Sequence, residues 1–293
     1  MLLRRRRGKA TQSAEDQREG STMSMMQAII LGAVQGLTEF LPVSSSGHLV
    51  LAEHLLGVPV TDDITFEVFV HFGTLLSVLA ALWPEVKGIT QALISGCMNF
   101  SLIPTYYREN EHFRSAPLIV AASVPAAVVG LKFEDQVAGA FTDPKLVAVM
   151  LVITGLILFL TQLVKPAGQK RVGIISGLVI GITQAFAVIP GISRSGSTIS
   201  TALFLRISPL KAARFSFLLS VPVIAGATLL KTIDIFREGV ALEGMAPILA
   251  GTIIAFASGY FAIKFLLQII EKGRFSVFSF YCLTIGTLGI VFL

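Results

Sequence analysis

Two polar stretches lie between strongly apolar segments of this sequence, and both carry residues that could do chemistry. Residues 35–48 read QGLTEFLPVSSSGH, and residues 190–198 read PGISRSGST. The first stretch offers a carboxylate, hydroxyl groups and an imidazole, which proteins use as nucleophiles, bases and proton carriers. The second offers an arginine among hydroxyl groups and glycines. A reaction on a charged group, at a site enclosed by apolar helices, would need both sets.

The second stretch has the composition of an anion-binding site. A turn rich in glycine and serine that leads into a helix presents backbone N–H groups and the positive end of the helix dipole. Arg194 adds a planar fork of donors that suits the oxygens of a phosphate or diphosphate. The candidate binding residues are Gly191, Ser193, Arg194, Ser195, Gly196, Ser197 and Thr198. The alternative is a cation that only sets topology at the cytoplasmic surface, which would need none of these neighbours.

The first stretch supplies the candidate catalytic groups. Gln35 and Glu39 are four residues apart, so on a helix they share one face. A carboxylate inside an apolar helix is costly and normally has a partner or a role, and a structural pair with Arg194 is the alternative to catalysis. The other catalytic candidates are the hydroxyl of Ser45 and the imidazole of His48, while Gln35, Ser44 and Ser46 are candidates for binding the substrate. His71, inside a predicted span, is either a supporting group or a packing histidine.

Together the two stretches contain what a phosphoryl-transfer reaction requires. These are an activated oxygen nucleophile, a proton carrier and positive charge on the equatorial phosphate oxygens. A substrate that reaches such a site inside a bilayer is expected to be a lipid, and no nucleic acid is expected to bind. Glu39, with Gln35, could also hold a hard divalent cation such as Mg²⁺, which takes few carboxylates and shares the phosphates.

The composition excludes an ordinary soluble domain. Of the 293 residues, 54% are hydrophobic and only 14% are charged, whereas a soluble domain would carry about 25% charged residues. The mean hydropathy is +0.78, and apolar runs near the length of a bilayer span recur along the chain. The two cysteines are far apart and the four histidines lack zinc-ligand spacing, so we expect neither a disulfide framework nor a zinc site.

The apolar segments predict an all-α integral membrane protein with six transmembrane helices and two re-entrant helical hairpins. The hairpins are expected at residues 25–56 and 172–205, where short apolar helices from His48 and from Thr198 follow turns of Gly, Pro and Ser. Residues 83–115 are expected to be a connection. The predicted spans are Phe66–Trp83, Ala116–Leu131, Leu146–Val164, Ala212–Leu230, Met245–Leu267 and Phe275–Leu293.

The chain contains an internal duplication, with halves expected at about residues 25–164 and 172–293. At one fixed offset of 149 positions, Gly32, Gln35, Ser44, Ser46 and Gly47 fall on Gly181, Gln184, Ser193, Ser195 and Gly196. Three predicted spans separate the copies, so the hairpins enter from opposite faces, as in an inverted-topology repeat whose copies meet at the site. Transporters share this signature, so a transporter or a polyprenyl-phosphate flippase is the alternative function, although plain transport needs no nucleophile.

Basic residues predict the orientation in the membrane. Residues 165–171 and residues 206–214 each carry three basic residues, so the side on which they lie is expected to be cytoplasmic. Residues 1–24 are polar and have no apolar core, and we expect them to be a disordered extension rather than a signal peptide. The membrane domain is then expected at residues 25–293.

QGLTEFLPVSSSGH and PGISRSGST resemble the two signature regions of the undecaprenyl-diphosphate phosphatase, or bacitracin-resistance protein, family, and FSFLLSVP (Phe215–Pro222) resembles a third shared stretch. The likeness runs over residues 25–293. It implies hydrolysis of undecaprenyl diphosphate to undecaprenyl phosphate and inorganic phosphate. That reaction recycles the lipid carrier for cell-wall synthesis and gives bacitracin resistance. The implied fold, six spans with two re-entrant hairpins, agrees with the independent count above.

The resemblance also implies residue roles and surroundings. It places the catalytic serine, histidine and arginine at Ser45, His48 and Arg194, and the motif's carboxylate at Glu39. Gln35 stands where the family has either Glu or Gln, which counts against a mechanism that needs two carboxylates there. The resemblance further implies Mg²⁺ or Ca²⁺ as the cofactor and a site on the outer face of the bacterial inner membrane. Whether Ser45, His48 or water attacks is left open, as is a homodimer.

Overall fold

The computed structural model describes residues 23–58, 65–99, 103–164, 171–238 and 245–293, and within these ranges the chain is helical without strands. The helices are α1 (Met25–Phe40), α2 (Ser45–Leu56), α3 (Thr65–Ala81), α4 (Trp83–Met98), α5 (Ile103–Glu109), α6 (Glu111–Lys132), α7 (Glu134–Phe141), α8 (Pro144–Leu160), α9 (Ile174–Phe186), α10 (Arg194–Phe204), α11 (Pro209–Glu238), α12 (Met245–Glu271) and α13 (Val277–Phe292). A 3₁₀ turn, Thr161–Leu163, extends α8. The predicted all-α class is confirmed.

Two pairs of short helices, α1–α2 and α9–α10, form the predicted hairpins. The first pair breaks at Pro42, because a proline disfavours helical geometry at the residue before it. Leu41 is accordingly extended, at φ −60° and ψ 140°. The second pair turns at Gly191, whose φ of 90° lies in the left-handed region that favours glycine. Each break is therefore built by the Gly and Pro residues that the sequence places there.

The second helix of each hairpin begins earlier than the sequence predicted. Helix α2 begins at Ser45 rather than at His48, and α10 begins at Arg194 rather than at Thr198. Side-chain capping is the reason, since the serine directly before each helix accepts a hydrogen bond from the backbone amide three residues on. The candidate catalytic residues consequently lie in the first helical turn and not in the preceding loop.

The two hairpins repeat the same hydrogen bonds at the predicted offset. Ser44 Oγ accepts from the amide of Gly47 at 3.3 Å and lies 3.2 Å from the hydroxyl of Ser46. Ser193 Oγ accepts from the amide three residues on at 3.0 Å and lies 3.3 Å from the hydroxyl of Ser195. This repetition supports the duplication down to individual caps.

The first helix starts at Met25, directly after the segment that was expected to be a polar extension. Ser24 is its N-cap, and Gln27 completes a capping box. The backbone amide of Ser24 donates to Gln27 Oε1 at 2.8 Å, and the backbone amide of Gln27 donates to Ser24 Oγ at 3.2 Å. Residues 1–22 lie outside the described residues, so their disorder stays a prediction.

The described helices make this a multi-pass membrane protein. Four segments are long and apolar enough to cross a bilayer, namely α6, residues 144–163, residues 209–233 and α12. The pair α3–α4, bent by 81°, would form a fifth. Helix α13 is a shorter apolar helix of 16 residues. The count of six spans remains a prediction.

Residues 83–115 were expected to be a connection, and the structure shows that the described part of it is helical. The described part of the segment forms α4, α5 and the start of α6. Glu85 on α4 pairs with Arg214 on α11 at 2.6 Å, and the backbone of Gly96 on α4 lies so close to the ring of Phe113 that a methyl group would not fit between them. These contacts hold α4 across the end of the helix bundle.

The hairpins pack against helices of the opposite half. Helix α1 packs on α12, and α9 packs on α6. The crossings are close, because Gly32 lies against the backbone of Gly251 and its repeat counterpart Gly181 lies against the backbone of Ala122. Glycine is required at both crossings, since an added Cβ would meet main-chain atoms. Because each hairpin packs on the opposite half, the two polar stretches come together in the middle of the molecule.

Candidate active site

A cavity of about 190 Å³ lies between the two hairpins. The first hairpin contributes Glu39, Ser44, Ser45 and Ser46 to its wall, and the second contributes Gln184, Ser193 and Arg194. His71 from α3 and Ser220 from α11 complete the polar lining. Apolar side chains cover the rest of the wall, among them Ala126, Val223 and Ile224. The predicted meeting of the two stretches at one site is confirmed.

Glu39 is the centre of the hydrogen bonds in this cavity. Its carboxylate accepts from Ser45 Oγ at 2.5 Å and from Gln35 Nε2 at 3.0 Å, and it forms an ion pair with Arg194. The Nε2 atom of His71 lies 3.6 Å from the same carboxylate. Only 5% of the Glu39 side chain is exposed, so its charge depends on these partners. The structural pair with Arg194, considered as an alternative role, is therefore present within the site.

Arg194 is held from behind by α11. Its Nη1 donates to the carbonyl oxygen of Ser216 at 3.4 Å, while its Nη2 faces Glu39. Thr198, one turn further along α10, donates to the Arg194 carbonyl at 2.7 Å and lies 2.6 Å from the Ser216 hydroxyl. The guanidinium is thus fixed at the cavity wall, where the positive end of the α10 dipole adds to its field.

A threonine in the middle of α8 fastens the turn of the second hairpin. Thr154 Oγ1 donates to the carbonyl of Gly191 at 3.0 Å and accepts from the amide of Ser193 at 3.0 Å. Ser195 Oγ donates to the carbonyl of Leu41 at 3.2 Å and so joins the second hairpin to the first. Thr154 was missed by the sequence analysis, because a lone threonine in an apolar span has no local signal for such a role.

His48 lies apart from Glu39, Ser45 and Arg194. Its Nδ1 is 2.8 Å from the carbonyl oxygen of Ser44, and its Nε2 is 2.8 Å from the hydroxyl of Tyr281 on α13. In the neutral imidazole, Nδ1 then donates to the carbonyl and Nε2 accepts from the phenol. His48 does not line the cavity described above. A catalytic role for His48 therefore stays a prediction, and His71 is the imidazole nearest to Glu39.

The remaining predicted residues lie behind the wall rather than in it. Those that do not line the cavity are Gln35, Gly191, Ser195, Gly196, Ser197 and Thr198. Gly191, Gly196 and Thr198 take part in the hydrogen bonds of the turn, the cap and the first helical turn around Arg194. Conversely, the lining residues His71, Gln184 and Ser220 were absent from the predicted site. The repeat match between Gln184 and Gln35 was the one signal in the sequence that could have added Gln184.

The cavity residues fit a divalent cation that binds together with the substrate. They fit less well a cation that is bound by protein ligands alone. Among the described residues, no group of three or more His, Cys, Asp or Glu side chains could hold a metal ion. Glu39 is the one acidic side chain in the described cavity wall, and Gln35 lies behind it. A single carboxylate is enough for Mg²⁺ only if the phosphates supply further ligands.

Comparison with known proteins places the chain in a family. The sequence model of the family described as Bacitracin resistance protein BacA matches residues 28–288. The chain is 42% identical over 272 residues to the Undecaprenyl-diphosphatase of Salinibacter ruber, covering 92% of this chain and 99% of that protein. It is 41% identical over 271 residues to the protein of the same name from Halothermothrix orenii, covering 92% of this chain and 98% of that protein. The Undecaprenyl-diphosphatase of Desulfosudis oleivorans is 43% identical over 268 residues, with 90% and 97% covered.

Proposed function

The chain belongs to the bacitracin resistance protein BacA family, and we propose that it is an undecaprenyl-diphosphatase. It hydrolyses undecaprenyl diphosphate to undecaprenyl phosphate and inorganic phosphate. The observation that carries this proposal is the hydroxyl of Ser45, which donates to Glu39 at 2.5 Å in a cavity that Arg194 also lines. The named function of its relatives agrees with this chemistry.

Substrate binding rearranges the charges around Glu39. In the described structure Arg194 is paired with Glu39. A diphosphate in the cavity competes for the guanidinium, because phosphate oxygens match its fork of donors and carry more charge than one carboxylate. As Arg194 Nη2 exchanges Glu39 for a phosphate oxygen, Glu39 is released to accept a proton. Binding of the correct anion thus prepares the base.

In the first chemical step the Ser45 oxygen attacks the terminal phosphorus. Its proton moves to Glu39, and the bond from that phosphorus to the bridging oxygen breaks. Undecaprenyl phosphate leaves and takes the proton from Glu39. Arg194 and the positive end of α10 stabilise the charge on the phosphoryl oxygens.

In the second step water attacks the phosphoserine. Glu39, again a carboxylate, accepts a proton from the water, and that proton returns to the Ser45 oxygen as inorganic phosphate leaves. His71 lies 3.6 Å from Glu39, so it is the imidazole placed to exchange protons with this carboxylate. Every bond formed in the two steps is matched by one broken, and the enzyme returns to its starting state.

A divalent cation, Mg²⁺ or Ca²⁺, belongs to the same proposal. Glu39 would be the protein ligand of this cation at the cavity, with the Gln35 carbonyl close behind. The cation would neutralise charge on the diphosphate. Both carboxylate oxygens of Glu39 already accept hydrogen bonds or an ion pair, which favours a cation shared with the substrate.

The proposal also includes the surroundings of the protein. We place the protein in the bacterial inner membrane with its site open to the outer face, where it recycles the lipid carrier for cell-wall synthesis and gives bacitracin resistance. The polyprenyl diphosphate reaches the cavity from the membrane lipid. A homodimer remains a prediction from the sequence alone.

The test is phosphate release from undecaprenyl diphosphate by the purified full chain. We expect Ser45→Ala to lower turnover by at least about a thousandfold, because it removes the nucleophile. Ser46→Ala, at the neighbouring hydroxyl in the same wall, is the matched control and should retain turnover within about tenfold. Rapid quenching with substrate labelled in its terminal phosphate should trap label on Ser45.

Two results would separate this mechanism from its alternatives. Turnover by Ser45→Ala near that of the wild type would assign the attack to water instead. Movement of the lipid across proteoliposomes without any phosphate released would favour the transporter or flippase. The Ser45–Glu39 hydrogen bond speaks for hydrolysis, because transport alone gives a hydroxyl no reason to be activated.

A further inference from the structure

Gln184 is a buried polar side chain in the cavity wall that makes no hydrogen bond to any described residue. It lies on α9 and is 3% exposed, and it lines the cavity beside Arg194. Neither its Oε1 nor its Nε2 has a hydrogen-bond partner among the described residues. Most buried side-chain polar atoms have at least one partner, so both ends of this amide call for an explanation.

The internal repeat explains why this amide is free. Its counterpart in the first hairpin, Gln35, donates from Nε2 to Glu39 four residues later, at 3.0 Å. The position four residues after Gln184 holds Val188, which has no acceptor to offer. The second copy therefore has the amide but has no acceptor four residues later.

An unpartnered amide at this place would be unfavourable in the protein alone. Removing a buried amide from water without a hydrogen bond destabilises the folded state, and an apolar side chain of the same size would avoid the penalty. The neighbouring wall positions show that apolar residues are accommodated here, since Ala187, Val188 and Ile192 also line the cavity. A ligand that accepts a hydrogen bond would remove the penalty.

We propose that the Gln184 carboxamide binds the diphosphate of the substrate, with Nε2 donating to a phosphate oxygen. This inference rests on the proposed function. Arg194 must give up its pair with Glu39 to bind the diphosphate, so a further donor that has no partner among the described residues would strengthen the phosphate site. A neutral amide meets this need, and its free Oε1 can accept from a protonated phosphate oxygen. The isoprenoid chain would instead lie along the apolar wall near Val223 and Ile224.

Gln184→Leu tests this role, because leucine is of similar size and has no polar atoms. We expect KM for undecaprenyl diphosphate to rise roughly tenfold to a hundredfold, as for one lost hydrogen bond to a charged group, while kcat changes by less than about threefold. The midpoint of thermal unfolding should stay or rise, because an unpaired buried amide has been removed. Gln268→Leu, at an exposed glutamine on α12 outside the cavity, is the control and should leave KM unchanged.

Binding of inorganic diphosphate, measured by titration calorimetry on the full chain, separates this inference from the proposed function. We expect Gln184→Leu to weaken that binding by a factor similar to the rise in KM. Unchanged affinity and unchanged KM in the variant would overturn the inference, and so would a fall in thermal stability that accounts for the loss. If the wild type bound diphosphate but released no phosphate from the lipid, the proposed function would fail, and the affinity of the variant would still decide the role of Gln184.

Discussion

Glu39 accepts from one residue of its own helix, from one in the first turn of α2 and from Arg194 of the opposite hairpin. Its neighbours therefore come from both copies of the duplication, and one carboxylate connects Arg194 to Ser45, the proposed nucleophile. The Glu39 and Arg194 side chains are 5% and 17% exposed. When an ion pair is buried to this extent, removing one member destabilises the protein more than removing both.

A double substitution tests this pair. Arg194→Ala should lower the free energy of unfolding by about 3–5 kcal/mol, because it leaves Glu39 as a buried charge without its counter-ion. Adding Glu39→Gln should restore most of that stability, since no charge then remains to be paired. Thermal unfolding in detergent measures both, and neither variant should release phosphate. Equal stability of the single and double variants would show that Glu39 does not rely on Arg194.

At the scale of elements, the breaks in the two hairpins place the chemistry. The turn before α10 is held by Thr154 of α8, which bonds the Gly191 carbonyl and the Ser193 amide, both at 3.0 Å. Gly191 has a φ of 90° and lies against the backbone of Val147 and the side chain of Met150. The position of Arg194 in the cavity thus depends on a turn whose glycine is packed against α8.

Gly191→Ala is expected to disturb this turn. A Cβ at that position would overlap the Val147 carbonyl and adopt a strained backbone conformation, so we expect a loss of about 1–3 kcal/mol. Turnover should fall with it, because Arg194 shifts. The control is Gly226→Ala on α11, where a Cβ would have nothing within 4 Å and stability should change by less than about 1 kcal/mol. Similar thermal midpoints for the two variants would contradict the packing described here.

At the scale of the whole molecule, the helices of one half enclose the hairpin of the other. Helix α1 packs on α12 and α9 on α6, and the hydrogen bonds of the two caps repeat at the predicted offset. The two copies differ at two positions that the proposed reaction uses. Arg194 occupies the position of Ser45, and Val188 occupies the position of Glu39. In the proposed mechanism, one copy thereby supplies the nucleophile and base, and the other supplies the donors for the phosphate.

Chelation should affect activity without affecting the fold. We expect EDTA to lower phosphate release by at least about tenfold, with recovery on adding Mg²⁺ or Ca²⁺, because the cation neutralises the diphosphate. The midpoint of thermal unfolding should move by less than about 1 °C. A ligand stabilises the folded protein only when it is bound to it, and the proposed cation binds together with the substrate. A fall of several degrees on chelation would show instead that the folded protein holds a resident cation.

The sequence by itself determined the class, the hairpins and most of the residues that the proposed mechanism uses. Apolar runs of bilayer length, broken by Gly, Pro and Ser, are enough to predict helices and re-entrant breaks, because a backbone at membrane depth must satisfy its own polar groups. Arg194, Glu39 and Ser45 were identified because charged and hydroxyl groups are rare in such surroundings. The repeat predicted that the two stretches would meet.

Only the tertiary structure decided which of these residues share the cavity. His48 is three residues from Ser45 in sequence, yet its Nε2 faces Tyr281, while His71 from another helix lies 3.6 Å from Glu39. Thr154 and Gln184 carry no local signal, because their roles depend on which helix packs against them. Spacing along one helix specifies a shared face, but contacts between helices depend on packing at positions such as Gly32 and Gly181. That is the physical reason why the sequence supplied the groups and the fold selected among them.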